Sequence, residues 1–466
     1  MYKIKFGTDG WREIIADQFT SANVRKVAMA TAKWLQKLSV KPVCVVGHDC
    51  RFGGEMFAEE TARILASQGV KVHLANGIVS TPMVSLGANK LNAHAGVIIT
   101  ASHNPPTYNG YKIKAGYGGP ATQSVIDEVE GYIGDREISP ALPLKHYEKM
   151  GEIQWVDLET MYLDHVHSHF DMEALKSISS GLLYDAMYGA GQNVIKKLFP
   201  EATLLHAIHN PGFEGRAPEP ILKNLTEISK MIEKDDSFVC GLATDGDADR
   251  IGFFDEKGRF VDSHHLILLL INHLTEYKGF TGKVVKSFSV SDKVEQLCKI
   301  KGLESITTKI GFKYICEYML TDDVLIGAEE SGGIAIKGHI PERDGIWIGL
   351  VLLEYMAKTG KSISALISDI YSSIGSFAVE RYDLHLDPET KDNIVNQCKA
   401  GDYATFGSYI VQSIEDIDGF KFRLGDAGWV LIRPSGTEPV LRVYAESVNS
   451  SAAFSILDAV KNAILN

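Results

Sequence analysis

Short apolar runs alternate with helix-spaced segments along this chain, and that alternation narrows the fold more than any other feature. Pro42-Val43-Cys44-Val45-Val46-Gly47 is too short for a helix and too apolar for a surface loop, so it reads as a buried strand. Gly53 to Gly69 follows with helical spacing: Phe57, Ile64 and Leu65 are apolar, while Glu59, Glu60 and Arg63 are polar. Val70-Lys71-Val72-His73-Leu74 and Val97-Ile98-Ile99 are further strands. Strands separated by helices imply a mostly parallel sheet with right-handed crossovers. The pattern recurs at Gly181 to Asp185 and Phe238 to Ala243, and again at Lys283 to Phe288 and Val324 to Gly327. A helical stretch is expected near Leu158 to Phe170 and a long apolar helix from about Ile346 to Met356. Sheets of this kind hold ligands outside the carboxyl ends of their strands.

At 466 residues the chain is too long for one core, and three or four domains are expected. Residues 134–154, with Pro140 and Pro143, read as a loop and mark a first boundary. Beyond residue 370 the texture changes. Two strand-like runs, Gly428 to Arg433 and Val440 to Glu446, flank Pro434-Ser435-Gly436-Thr437-Glu438-Pro439, and an amphipathic helix follows from Ser451 to Leu465. The expected units are 1–145, 146–258 and 259–370, each α/β, and a smaller α+β unit over 371–466. No short repeat is visible.

No apolar run approaches the roughly 20 residues that span a bilayer, and Met1-Tyr2-Lys3-Ile4-Lys5-Phe6 lacks the apolar stretch of a secretory signal, so the fold is expected to start near residue 1. The six cysteines (Cys44, Cys50, Cys240, Cys298, Cys316, Cys398) form no Cys-x-x-Cys pair, which favours a reducing cytoplasm and disfavours structural zinc. A net charge of −12 argues against nucleic acid. An acidic protein still binds phosphate if its cations share one cleft, and the candidates are Arg12, Lys112, Arg250, Lys313, Arg343, Arg433 and Arg442, in or near the motif segments.

Four loops carry chemistry. Gly96 to Ile99 empties into Thr100-Ala101-Ser102-His103-Asn104-Pro105-Pro106, where the prolines stop both helix and ladder and leave a hydroxyl and an imidazole on a stiff loop. Lys112 closes that loop after Asn109-Gly110, where desolvation beside other cations would make it a base. Asp245-Gly246-Asp247-Ala248-Asp249-Arg250 offers carboxylates at alternate positions, which converge if the loop is extended, and which suit Mg²⁺ or Ca²⁺. An acidic surface turn is disfavoured there because apolar runs lie on both sides. Arg433 to Pro439 supplies a guanidinium, hydroxyls and a glycine, the chemistry of a phosphate cradle. Gly327-Ala328-Glu329-Glu330-Ser331-Gly332-Gly333 can bind sugar hydroxyls through its acids. A Ser–His hydrolase is disfavoured, since neighbouring side chains diverge and no Gly-x-Ser-x-Gly elbow is present.

Together these loops resemble those of the α-D-phosphohexomutases, in the family's order over most of the chain. The resemblance implies three α/β domains of similar topology and a smaller fourth around a central cleft. It implies a phosphoserine at Ser102, a general acid/base at Lys112 with His103 as accessory, and Mg²⁺ on Ser102, Asp245, Asp247 and Asp249. Substrate contacts fall on Arg12, Arg250, Gly311, Lys313, Glu329, Ser331, His339, Arg343, Arg433, Ser435, Gly436 and Thr437. Ala328 stands where the family often has glycine. The implied activity interconverts hexose 1-phosphate and hexose 6-phosphate, with glucose 1,6-bisphosphate as activator, by a monomer or homodimer that needs neither nucleic acid nor membrane. Glucose is preferred, because the Glu329-Glu330-Ser331 loop and the His339 to Gly345 segment resemble the glucose-type enzymes, and mannose is the near alternative. The rivals are a metal-dependent phosphatase and a phosphosugar-binding protein without turnover.

Overall fold

The computed structural model of the chain describes residues 2–7, 9–434 and 440–465. Three of its sheets repeat one topology. In the first, Val43–His48 lies between Lys71–Ile78 and Ala95–Ile99, all parallel, and Tyr108–Ala115 closes antiparallel on Ala95–Ile99. In the second, Leu182–Asp185 lies between Thr203–Leu205 and Cys240–Thr244, and Ile251–Phe254 closes antiparallel. In the third, Lys283–Ser287 lies between Ser305–Thr308 and Val324–Ala328, and Ile334–Ile336 closes antiparallel. Numbered by sequence among these four strands of each unit, the order is 2-1-3-4 each time; in the first unit Trp11–Ile14 adds an antiparallel edge beside Tyr108–Ala115. The central strands are buried along almost their whole length because helices cover both faces, which is why they read as continuous apolar runs rather than alternating ones.

The expected long helix runs from Gly345 to Thr359. Asp344 caps it, accepting from Trp347 N at 2.9 Å, and Gly360 ends it at φ 65°, a left-handed conformation that glycine adopts without a Cβ clash. Every residue from Gly345 to Met356 is buried. The helix therefore belongs to a core that also takes in Val84 and Ile98 of the first unit, Leu242 and Phe253 of the second, and Leu325 and Ile336 of the third. The C-terminal unit is a five-stranded antiparallel sheet ordered Ala378–His385, Val440–Ser447, Trp429–Pro434, Phe420–Arg423, Ser413–Glu415, backed by helices Pro388–Ala400 and Ser450–Leu465. Its core is separate, and Phe288 joins it to the third unit by packing with Trp429, Leu431 and Tyr444.

The stretch 134–154 is not all loop. Leu144–Met150 is a helix, and Ile153–Val156 adds a parallel edge strand beside Lys71–Ile78. Only Tyr147 and Ile153 are buried there, so the apolar signal was too thin to outweigh the preceding prolines. The other units also run further than expected. Phe260–Val261 completes the second sheet, and helix Ile363–Ile374 carries the third unit past residue 370. The boundaries we propose instead follow Val156, Val261 and Ile374.

Candidate active site

The repeated topology explains why three of the four loops meet. The serine loop, the aspartate loop and the Glu329 loop each connect strand 3 to strand 4 of their own unit, and so leave the same end of each sheet. They touch directly. Ser102 Oγ donates to Asp245 Oδ2 at 2.7 Å, and Ile251 N donates to Gly332 O at 3.2 Å. A Cβ on Gly246 would lie 2.5 Å from Ser102 O, so only glycine permits this approach.

Ser102 is buried and sits at φ 52°, in the left-handed region. That turn brings its Oγ to 3.3 Å from His103 Nδ1, so the two neighbouring side chains do not diverge as expected. Burial, followed by Arg250 and Arg12, holds the imidazole well below its ordinary pKa and keeps it neutral. The loop is clamped by a residue the sequence reading missed. Arg51 donates to the carbonyls of Ser102 (2.6 Å), Asn104 (2.7 Å), Pro105 (2.9 Å) and Tyr108 (3.0 Å). Asp49 pairs with Arg51 at 3.4 Å and accepts from Thr100 Oγ1 at 2.5 Å, while Thr100 Oγ1 accepts from Ser102 N at 2.9 Å. Asp49 and Arg51 follow strand 1, beside strand 3 at the sheet's switch point. Charged residues immediately after a buried strand were the available signal.

The aspartate loop is a tight turn rather than an extended segment. Ala248 sits at φ 57° and donates its N–H to Asp245 O at 3.0 Å, which turns the carboxylates inward. Asp245 Oδ1 accepts from the N–H groups of Asp249 and Arg250 at 3.0 and 3.1 Å. Asp247 Oδ2 accepts from Thr81 Oγ1 and from Lys112 Nζ, the latter at 2.7 Å, and Asp249 Oδ2 accepts from Arg343 at 2.7 Å. One ligand oxygen from each aspartate lies within 4.8 Å of the others, and all three residues are buried. Asp247 Oδ1 and Asp249 Oδ1 are buried with no hydrogen-bond partner. Burial, then Asp247 and Asp249, pushes the Asp245 carboxyl well above its usual range. Unpartnered hard oxygens in a crowded acidic pocket fit a hard divalent cation. Saturating Mg²⁺ is expected to raise Tm by about 2 °C or more, and Asp247→Asn to remove most of that rise. A wild-type melt indifferent to Mg²⁺ would count against a metal site.

Lys112 is fully buried, with Arg12 and Arg343 close by as expected, but the anions around it outweigh those cations. Its Nζ lies 2.7 Å from Asp247, 2.9 Å from Asp9 and 3.2 Å from Asp249. Burial acts to lower its pKa, yet Asp247, Asp249 and Asp9 outweigh it and hold the ammonium above its ordinary value. A cation engaging Asp247 and Asp249 would remove two of those three partners. Asp9, a second residue missed from sequence, also takes Arg343 at 2.5 Å and Lys114 at 3.5 Å, and Lys114 pairs with Glu342 at 2.9 Å.

The remaining sites divide. Arg12 donates to Asn104 Oδ1 at 2.8 Å, which places it over the serine loop. Arg250 lies 3.9 Å from Glu219. Arg343 links Asp9, Asp249 and Glu329, the last at 3.9 Å, and so joins the N-terminal, aspartate and sugar loops. Burial pushes the Glu329 carboxyl up to about 7, against the pull of Arg343. Ser331, two residues on, is partly exposed. Gly311, at φ 134°, starts the helix holding Lys313, whose Nζ donates to Gln123 Oε1 of the first unit at 2.5 Å. Arg433 pairs with Asp418. Ser435, Gly436 and Thr437 lie outside the described residues.

His339 is the exception. It stacks on Trp347 at 3.9 Å, bonds Asp344 Oδ2 at 3.0 Å and His165 at 3.2 Å, and is buried in that cluster. The resemblance of the His339 to Gly345 segment to the glucose-type enzymes implied substrate contact, whereas its side chain packs between the second and third units.

Models of the phosphoglucomutase/phosphomannomutase α/β/α domains I, II and III match residues 3–138, 160–258 and 262–374, and that of the C-terminal domain matches 399–463. The chain is 31% identical over 461 residues to the phosphoglucomutase/phosphomannomutase of Thermococcus kodakarensis, covering 97% of this chain and 96% of that one. It is equally 31% identical, over 465 residues and with 97% and 96% covered, to the phosphoglucosamine mutase of Methanocaldococcus jannaschii. A crystal structure from Thermus thermophilus, provisionally named a phosphomannomutase, superposes with a TM-score of 0.88 at 31% identity over 100% of both chains.

Proposed function

The chain belongs to the phosphoglucomutase/phosphomannomutase family, enzymes that move phosphate within a hexose, and from that premise we propose that it interconverts glucose 1-phosphate and glucose 6-phosphate through a phosphoserine at Ser102. One observation carries this reading: Ser102 Oγ lies 2.7 Å from Asp245 in the same buried cluster that holds Lys112 Nζ 2.7 Å from Asp247. A nucleophilic hydroxyl, a clustered cation site and an amine that can exchange a proton are what phosphoryl transfer needs.

Asp245, Asp247 and Asp249 would hold Mg²⁺, which neutralises charge developing on a transferring phosphoryl group. Ser102 in its phosphorylated form donates its phosphoryl group to the free hydroxyl of a bound hexose monophosphate, and Lys112 would take that hydroxyl's proton in the neutral form that it reaches once Asp247 and Asp249 engage a cation instead of it. Arg433 and the loop after it grip the phosphate that stays. The bisphosphosugar turns over in the cleft, and Ser102 accepts its other phosphate, so glucose 1,6-bisphosphate acts as activator. Glu329 and Ser331 receive sugar hydroxyls. The preference for glucose rests on the Glu329-Glu330-Ser331 loop and on the His339 to Gly345 segment, of which Arg343 reaches the cluster while His339 packs away from it. Mannose differs only at C2 and one hydroxyl gives limited discrimination. The matched phosphoglucosamine mutase adds glucosamine as a second reading.

Initial rates on glucose, mannose and glucosamine 1-phosphates, with Mg²⁺ and a trace of the bisphosphate, test this. The expected result is 6-phosphate formation with the highest kcat/KM on glucose 1-phosphate and negligible free phosphate. A higher value on either other sugar would reassign the substrate, and free phosphate without isomerisation would make the protein a phosphatase.

A further inference from the structure

Arg433 stands at the end of strand Trp429–Pro434, on the C-terminal unit, and in the function proposed above it presents its guanidinium to a phosphate whose sugar is held by the other units. Its orientation is set by Asp418. Phe420 pairs with Ile432 across the neighbouring strand, which brings the Asp418-Gly419 turn alongside Arg433. Gly419 is at φ 89°, and a Cβ there would meet Ile432 O at 2.7 Å and Arg433 Cβ at 3.0 Å, so the close approach needs glycine. Asp418 Oδ1 then accepts from Arg433 Nε at 3.2 Å and Oδ2 from Nη2 at 3.3 Å. This is a two-point fork that leaves Nη1 outside it. The same Oδ2 accepts from Ile310 N at 2.9 Å. Ile310 belongs to the third unit and immediately precedes Gly311, where the helix carrying Lys313 begins. A second bond runs beside it, from Tyr444 OH of the C-terminal unit to Glu330 Oε1 of the sugar loop at 3.1 Å.

We propose that Asp418 is a positioning residue: its carboxylate holds the Nε–Nη2 face of Arg433, turns the rest of the guanidinium toward the phosphate, and locks that arginine to the 310–313 segment of the third unit. The proposal rests on Arg433 as a phosphate ligand. A monodentate neighbour would leave the guanidinium free to rotate about its long side chain, and each rotamer lost on binding would weaken affinity. One carboxylate serving both units also couples seating of phosphate to seating of sugar.

The test is a double-mutant cycle on the full chain with Mg²⁺. Asp418→Asn keeps one acceptor oxygen and the side-chain shape but loses the charged fork. It is expected to raise KM for the hexose phosphate about tenfold with kcat changed less than about threefold. Asp418→Glu is expected to recover part of the loss. In an Arg433→Lys background, where no fork is possible, Asp418→Asn is expected to add less than about twofold. A merely structural Asp418 would lower Tm and kcat and would act additively with Arg433→Lys, and either outcome overturns the proposal. Calorimetric binding of glucose 6-phosphate to the same four proteins reads the coupling without turnover. Loss of turnover on every sugar with the binding cycle intact would therefore fault the proposed function and not the role of Asp418.

Discussion

Ser102→Ala is expected to give a folded protein with less than about one thousandth of the wild-type mutase rate. The change removes one hydroxyl and little else. The backbone of the loop stays held, because Arg51 grips the Ser102 carbonyl at 2.6 Å and Thr100 Oγ1 takes its N–H at 2.9 Å. The lost bond to Asp245 costs about 1 kcal/mol. The aspartates remain, so the Mg²⁺-dependent rise in Tm should persist, and this separates loss of the phosphoryl carrier from loss of the metal site. Ser102→Gly is the matched control. It relaxes the left-handed φ of 52° and still lacks the hydroxyl. Both variants should be inactive, and neither should gain a phosphate by intact-protein mass spectrometry after incubation with glucose 1,6-bisphosphate, whereas the wild type should. A tenth or more of wild-type activity in either would remove Ser102 from the mechanism.

The parts of this molecule that were legible in sequence are those whose signal is local. Central strands such as Ala95–Ile99 are apolar end to end because both faces are covered, and Gly345–Thr359 is a helix with its own cap and stop. The aspartate loop announced itself because three carboxylates between two buried strands have few uses other than a cation. What was missed is non-local. Nothing near Arg51 in sequence shows that it reaches carbonyls more than fifty residues away. Asp9 meets Arg343 only because two units fold together. His339 illustrates the converse. It is close in sequence to Arg343, but the bonds of Asp344 to His339 and Tyr162 draw it into the packing between units. Lys112 lies in the cluster with cations beside it, but its three carboxylate partners were not legible, and the sign of a pKa shift depends on such tertiary partners. The threefold repeat showed as a recurring strand–helix pattern and was implied by the family resemblance, but the shared strand order itself is spelled out by no run of residues.

Arg51 carries the second large expected effect. Its side chain and that of Asp49 are fully buried, and burial pushes the Asp49 carboxyl up to about 6 although Arg51 and Thr100 act to lower it. Arg51→Met strips the carbonyls of Ser102, Asn104, Pro105 and Tyr108 of their donor and leaves Asp49 unpaired, a loss of about 3–5 kcal/mol by analogy with other broken buried pairs. A fall in activity in that variant alone would be ambiguous between unfolding and mispositioning. Arg51→Lys resolves it. Lysine keeps a positive charge for Asp49, but a single ammonium on a flexible stem cannot span four carbonyls spread along the loop. Ser102 would then leave its strained turn, and a displacement of about 1 Å is enough to lose roughly 10²-fold in a positioned transfer. Arg51→Lys is therefore expected to lower kcat about 10²-fold with a much smaller loss of Tm than Arg51→Met. Adding Asp49→Asn to Arg51→Met should restore part of the Tm, because no unpaired charge remains buried, while kcat stays low. Wild-type kcat in Arg51→Lys, or recovery of kcat together with Tm in the double variant, would show that the clamp stabilises the first unit without aiming the serine.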